Sequence, residues 1–222
     1  DLRKAKEVSA KVLRGEKLRI YSDIPMERLV QRPARHEAEL VPAQDIDHAD
    51  IIISYRTRIL KPASEPNVDD IPVKASETQH PLEKMSQGIG LHLIAKRVHV
   101  GLGARKGVTQ AEVAAAVATC LEDAGIDPRA VVDLVSIDLK KQEAGILAYS
   151  YERGVPFVTY TAEELRTVEG AFAGSNFVQS VTGVANVCER AAAFAAGRSG
   201  HAEVLVHKTI HGNVTTAVAV EA

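Results

Sequence analysis

The amino-acid sequence predicts an α/β protein: a C-terminal domain with a mixed, mostly parallel sheet flanked by helices, preceded by a smaller α/β domain. Three observations carry this reading. From Leu91 onward, short apolar runs rich in β-branched residues alternate with Ala-rich stretches of helical length, the pattern of strands joined by crossover helices. Two helix starts carry a capping box, Thr109-x-x-Glu112 and Thr161-x-x-Glu164, in which the hydroxyl caps the third helical N–H and the Glu reaches back. Between Arg56 and Gly88, the breakers Pro62, Pro66, Pro72, Pro81 and Gly88 punctuate a polar stretch. Such a stretch reads as loop and places a boundary near its end, dividing the chain into domains 1–92 and 93–222.

In the first domain, Val8, Val12 and Leu13 are spaced among charged residues and predict an amphipathic helix over 2–13, ended by Gly15. A strand is expected over 18–21. Ser22-Asp23-Ile24-Pro25 is turn chemistry leading into a short helix, and Ile51-Ile52-Ile53 is the next strand. In the second domain, strands are expected over 97–102, 132–137, 156–160, 203–206 and 214–220, and helices over 110–124, 141–153, 162–167 and 181–196. The last two strands pair through a turn at His211-Gly212-Asn213.

Composition narrows the function. With 222 residues, 45% of them hydrophobic, the chain can bury one good core or two smaller ones. A net charge of -2 supplies no chain-wide basic field, and with no Trp and 4% aromatics it has few stacking platforms. Generic binding to nucleic acid or to an anionic membrane is thereby excluded, and any anion site must be local. The two cysteines, Cys120 and Cys188, each lie in an apolar helical pattern, which argues against a disulfide framework and for a reducing, cytoplasmic setting. No stretch approaches the ~18 apolar residues of a membrane span, and the charged N-terminus is no signal peptide. The chain starts without Met, directly in a helical pattern, as a piece of something longer would.

The sharpest local feature is Gly101-Leu102-Gly103-Ala104-Arg105-Lys106-Gly107, which joins a strand to a capped helix. Glycines permit close backbone approach, a helix N-terminus presents free N–H groups, and Arg105 and Lys106 add full charges, so this geometry suits an anion. A tight turn with solvated basic residues is the alternative. Neither familiar nucleotide loop is present, because Lys106 precedes the last Gly and the dinucleotide spacing is not met. Next, Ser136-Ile137-Asp138-Leu139-Lys140-Lys141 ends the second strand, where open parallel sheets bind their ligands. Lys208 and Thr209 follow the fourth. If these loops converge, Arg105, Lys106, Lys140, Lys141 and Lys208 form a cationic mouth opposed by Asp138 and Glu143. Cys188 has no His partner by spacing and reads as a buried structural thiol, whereas Glu189 is a candidate general base or acid, or the partner of Arg190 or a lysine. His207 and His211 flank a turn and share no helical face, so no protein metal site is indicated. Ser22 and Asp23 form a weaker second site.

At these residues the sequence resembles a family. Val100-Gly101-Leu102-Gly103-Ala104-Arg105-Lys106-Gly107 is similar to the loop of the CbiG/CobE proteins of cobalamin biosynthesis, usually Gly-x-Gly-Cys-Arg-Lys-Gly. Ser136-Ile137-Asp138-Leu139-Lys140-Lys141-x-Glu143-x-Gly145, Val155-Pro156-Phe157 with Thr161-Ala162-Glu163-Glu164-Leu165, Gly183-Val184-Ala185-Asn186-Val187-Cys188-Glu189 and Lys208-Thr209 follow in the family's order. The preceding half, with Tyr21-Ser22-Asp23 and Ile51-Ile52-Ile53-Ser54, resembles the central domain of CbiG more loosely. Ala104 stands where the family has Cys, Arg190 where it has Pro, and the CbiG N-terminal domain is absent.

The resemblance implies a role in cobalamin biosynthesis: hydrolysis of the ring A δ-lactone of cobalt-precorrin-5A, with release of acetaldehyde, to give cobalt-precorrin-5B. It implies Glu189 or Asp138 as the base and Lys106 or glycine-loop N–H groups at the oxyanion. Gly101, Gly103, Arg105, Gly107, Lys140, Lys141, Lys208 and Thr209 would hold the carboxylates of an anionic cobalt-tetrapyrrole. No cofactor is implied, cobalt entering only as part of the substrate; the expected partners are that substrate, other cobalamin-pathway enzymes and further copies of the chain. The alternatives are a non-catalytic CobE-like tetrapyrrole carrier and, on the glycine loop alone, a phosphate or nucleotide binder.

Overall fold

The computed structural model describes residues 1–25, 40–43, 46–57, 90–169, 172, 180, 183–199 and 201–221. Nearly all of the expected loop stretch, the short helix expected after Pro25, and positions 181–182 of the last helix lie outside them. The described residues fall into two compact units, one within Asp1–Ala95 and one composed of Tyr55–Thr57 with the residues from Lys96 onward.

The first unit is a parallel sheet with one helix. Helix α1 (Leu2–Leu13) starts where the Asp1 carboxylate accepts the N–H groups of Arg3 and Lys4, and it stops before Gly15, whose φ of 69° suits a residue without Cβ. Strands β1 (Leu18–Ser22), β2 (Leu40–Pro42), β3 (Ile51–Ser54) and β4 (Leu91–Ile94) pair in the order β2-β1-β3-β4, all parallel. Leu18, Ile20, Ile46, Ala49 and Ile52 are among its buried residues, with Ile52 wholly enclosed. Asp50 ties the unit together: its carboxylate accepts the Arg19 N–H at 2.9 Å and lies 2.6 Å from Lys11 Nζ. Burial alone would raise the pKa of this carboxyl, but the hydrogen bonds from Arg19 and Lys11 outweigh it and hold the pKa at about 2. The weaker second site is spent on local structure, since Ser22 Oγ accepts the Ile24 N–H and Asp23 accepts the Ser54 hydroxyl.

The second unit holds a five-stranded mixed sheet: β5 (Val98–Ala104), β6 (Val131–Ile137), β7 (Phe157–Tyr160), β8 (Ala202–His211) and β9 (Val214–Glu221), in the order β7-β6-β5-β9-β8. Strands β5, β6 and β7 are parallel, β9 is antiparallel to β5, and β8 is antiparallel to β9. Four of the five strands therefore share one direction, as the sequence predicts. The helices are α2 (Gln110–Asp123), α3 (Ala144–Arg153), α4 (Ala162–Arg166) and α5 (Val187–Ala196). Both predicted capping boxes form, at the starts of α2 and α4.

One face of this sheet is covered by α5. Val135, Ile137, Tyr160 and Leu165 pack against Val184, Val187, Ala191 and Ala195, and Ala219 packs against Ala192 and Ala196. Small side chains let the helix lie close, and Gly101 makes the closest approach possible: a Cβ there would stand 1.9 Å from the Cys188 carbonyl oxygen. On the other face α2 packs against β9, with Cys120 buried.

Three boundaries in the second unit differ from the sequence reading by three residues or more. Helix α5 begins at Val187, not 181, because Gly183 has a φ of 71° and Asn186 caps the helix by accepting the Glu189 N–H. Helix α3 begins at Ala144, not 141, because a 3₁₀ turn over Asp138–Lys140 runs on into a turn at 141–142 and Glu143 takes the N-cap position. Strand β8 runs five residues past its expected end at 206, zipped to β9 through the Gly212 turn, so Lys208 and Thr209 lie within the strand. Its register slips between Val206 and Thr209, a β-bulge that the polar His207-Lys208-Thr209 run conceals from a hydrophobic pattern.

Replacing Asp50 by Asn is expected to lower stability at pH 7 by about 2 kcal/mol. Because the folded carboxyl titrates near 2 and an ordinary one near 3.8, the wild-type chain loses this contribution only as pH falls from about 4 to 2. Urea denaturation across that range should show a shallower acid limb for the variant. Gly101→Ala should cost about 3 kcal/mol by forcing α5 away from β5, readable as a lower midpoint at unchanged slope.

Candidate functional site

Strands β5, β6, β7 and β8 end on one rim, and three loops meet there. Strand β5 runs into Arg105-Lys106-Gly107 before the Thr109 cap of α2, with Gly107 at a φ of 82°. The Gly107 N–H donates to Glu143 Oε1 at 2.7 Å, and the other oxygen of Glu143 lies 3.3 Å from Lys140 Nζ. Asn213, in the turn between β8 and β9, accepts the Arg105 N–H at 2.9 Å and donates its side-chain amide to Glu112 at 2.7 Å. Loop 105–107, turn 138–143 and hairpin 211–213 are thereby fixed to one another. Gly145 completes the joint, since a Cβ there would stand 2.1 Å from the Val108 carbonyl oxygen.

This arrangement redistributes the predicted site. Arg105, Lys106 and Lys141 are exposed on the rim, with Asp138 the exposed carboxylate beside them. Lys140 is mostly enclosed and paired with Glu143, so its charge is largely spent within the protein. The donor the glycine loop was expected to offer a ligand, the Gly107 N–H, is occupied by that same Glu143. Gly101 and Gly103 lie inside β5, where Gly101 admits α5 and a Cβ at Gly103 would stand 2.4 Å from Thr215 Oγ1. Their glycine character is accounted for by packing.

Glu189 is the largest departure. Its side chain is 1% exposed, with Oε1 accepting the Lys208 N–H at 2.5 Å and Oε2 3.5 Å from His207 Nδ1. With Oε1 on the Lys208 N–H and Oε2 shut off from solvent without a hydrogen-bond partner, it anchors α5 to the bulge of β8 and lies buried behind the rim instead of on it. Lys208 is half-buried, and Thr209 donates its hydroxyl to the His207 carbonyl. Cys188 is buried too: desolvation pushes its thiol up to about 11, against the opposing pull of the Thr215 hydroxyl and the Lys208 charge. Arg190 does what a Pro could not, donating to the carbonyls of Leu165 and Val168 and lying over the Phe172 ring. Sequence reasoning missed the joint made by Asn213 and Glu112, because partners 101 positions apart leave no local signal. Among the described residues there is no cluster of three or more His, Cys, Asp or Glu able to hold a metal ion, and no helix long and apolar enough to cross a membrane.

Fold and rim together define a mixed-sheet α/β protein with exposed cations grouped at the carboxyl ends of its strands. Its family is now explicit: the profile of the family "Cobalamin synthesis G C-terminus" matches residues 98–219, and the chain belongs to that family. It is 32% identical over 142 residues to the protein CobE of a Sinorhizobium species, covering 64% of this chain and 86% of CobE. It is 39% identical over 100 residues to the cobalt-precorrin-5A hydrolase of Salmonella typhimurium, covering 45% of this chain and 28% of the hydrolase. With the corresponding hydrolase of Priestia megaterium the identity is 30% over 145 residues, or 64% of this chain and 38% of that protein. The chain thus spans about a third of the length of these two hydrolases. Among solved structures, a crystal structure of CobE superposes with a TM-score of 0.54 at 25% identity, covering 56% of this chain and 89% of that one.

With its pKa near 11, the Cys188 thiol should react with a disulfide reagent at pH 8 roughly 100-fold more slowly than a free cysteine. Unfolding in guanidinium should abolish the difference, and fast labelling of the native chain would contradict the buried, neutral thiol.

Proposed function

We propose that the carboxyl rim of the second unit holds an anionic cobalt-tetrapyrrole of cobalamin biosynthesis, and that the reaction served is hydrolysis of the ring A δ-lactone of cobalt-precorrin-5A. Acetaldehyde leaves and cobalt-precorrin-5B is formed. The observation that carries the reading is the grouping of Arg105, Lys106 and Lys141, exposed on neighbouring loops of a chain whose net charge is -2. The acetate and propionate arms of such a ligand accept charge-assisted hydrogen bonds from guanidinium and ammonium groups, and several arms engage several cations at once. Asp138 is the exposed carboxylate on the same rim and serves as base for the attacking water, while Lys106 steadies the oxyanion formed at the lactone carbonyl. Glu189 acts on this site only through the strand bulge it anchors. Two buried, unpaired cysteines suit a reducing cytoplasm.

A second reading, a carrier that binds the tetrapyrrole without turning it over, is favoured by span, since the chain covers most of CobE and a minor part of each hydrolase. Acetaldehyde separates the two. Anaerobic incubation with cobalt-precorrin-5A should change the ligand absorbance, and trapped acetaldehyde would assign the hydrolase, whereas binding without it would assign the carrier. Lys106→Glu should weaken binding about tenfold, and Asp138→Asn should slow any turnover about 100-fold at unchanged affinity. A Lys106→Glu variant that binds as well as the parent would sink the cationic rim.

A further inference from the structure

Away from the rim, a cavity of about 300 Å³ lies between the last turns of α2 and strand β8. Its walls are mixed: Ile126, almost wholly enclosed, with Ala124, Leu205 and Val206 forms an apolar side, and Arg56, Thr209 and His211 supply polar groups. Cations and donors enter by a separate route. Tyr55–Thr57 is clipped to this unit by an antiparallel bridge between Arg56 and Ile126, by the Thr57 N–H donating to the Gly125 carbonyl at 2.8 Å, and by the Asp127 N–H donating to the Tyr55 carbonyl at 2.9 Å. These ties bring the Arg56 guanidinium, lying over the Tyr55 ring, to the cavity. At the end of β8, His211 lines the same space, and its Nε2 is shut off from solvent without a hydrogen-bond partner. A buried ring nitrogen left so costs free energy that an acceptor placed in the cavity would relieve. Asp123, also on the lining, is exposed, whereas Arg56 is half-buried.

We propose that this cavity binds a carboxylate carried on a short aliphatic stem. Arg56 and the Nε2–H tautomer of His211 donate to the carboxylate, and the stem lies against Ile126, Ala124 and Leu205. A guanidinium matches a carboxylate in shape as well as charge, and the apolar wall distinguishes a carboxylate with a stem from a bare inorganic anion. The volume, at the small end of ligand pockets, admits one such arm and not a macrocycle. Two sources share this chemistry: a free short-chain acid, and a propionate arm of a tetrapyrrole. The site stands whether or not the rim holds that ligand.

The test is an NMR titration of the whole chain with sodium propionate, with sodium chloride and n-propylammonium chloride as controls at equal ionic strength. A ligand of five heavy atoms should give saturable amide shifts at 124–126 and 205–211 with a Kd on the order of 1–10 mM. Arg56→Gln should raise that Kd at least about tenfold, and His211→Leu, which leaves the clip untouched, should weaken binding as well. Shifts that fail to saturate, that appear equally with chloride or n-propylammonium, or that survive both substitutions would overturn the proposal. Uroporphyrin, a tetrapyrrole with eight carboxylates, distinguishes the sources: displacement of propionate assigns the arm, and saturable propionate binding that uroporphyrin leaves unchanged assigns the free acid.

Discussion

The second unit depends on the contact between the Cys188 carbonyl and the bare backbone of Gly101. Only a residue without a side chain can lie beneath that carbonyl, and only a helix faced with alanines can follow it down onto the sheet. Once α5 lies there, its first turn sits over the middle of β5, and Glu189 reaches β8 to take the Lys208 N–H. The bulge in β8 and the enclosure of Cys188 follow from the same seating. A buried carboxylate with a main-chain partner is costly to move, so α5 and β8 behave as one piece.

At the rim, the protein satisfies its own glycine loop. Glu143 takes the Gly107 N–H and pairs with Lys140, so the strongest local donor and one of the cations are consumed in joining loop to turn. What remains outward is a set of solvated charges on a rigid frame. Such a surface recruits a polyanion through several weak contacts, each screened by salt, and gains precision from the fixed spacing of the loops. Cys188 and Glu189 lie behind this surface, buried in the packing.

Much of this was legible beforehand. Hydrophobic periodicity and two capping boxes located the strands of the second unit and the starts of α2 and α4, since those signals are local and chemically specific. Ordered motifs at the strand ends pointed to the family and to the rim. The errors share one cause. Gly101 resembled a ligand loop because sequence cannot distinguish a glycine that admits a substrate from one that admits a helix. Glu189 looked catalytic because a carboxylate in an apolar helix reads the same whether it faces a cleft or a neighbouring strand.

By itself the sequence determined the α/β class, the alternation of strands and helices that makes the sheet mostly parallel, the helix caps and the store of cations after the strands. Each of these is written in residues within a turn or two of one another. Tertiary structure decided which charges stay free, for that depends on partners such as Gly107 and Glu143, 36 positions apart. It also decided that Arg56 belongs with Ile126 and His211 around one cavity, a grouping made by a bridge across 70 residues of chain. Hydrogen bonds and close packing act over a few ångströms in space, and only the folded chain sets which residues come that near.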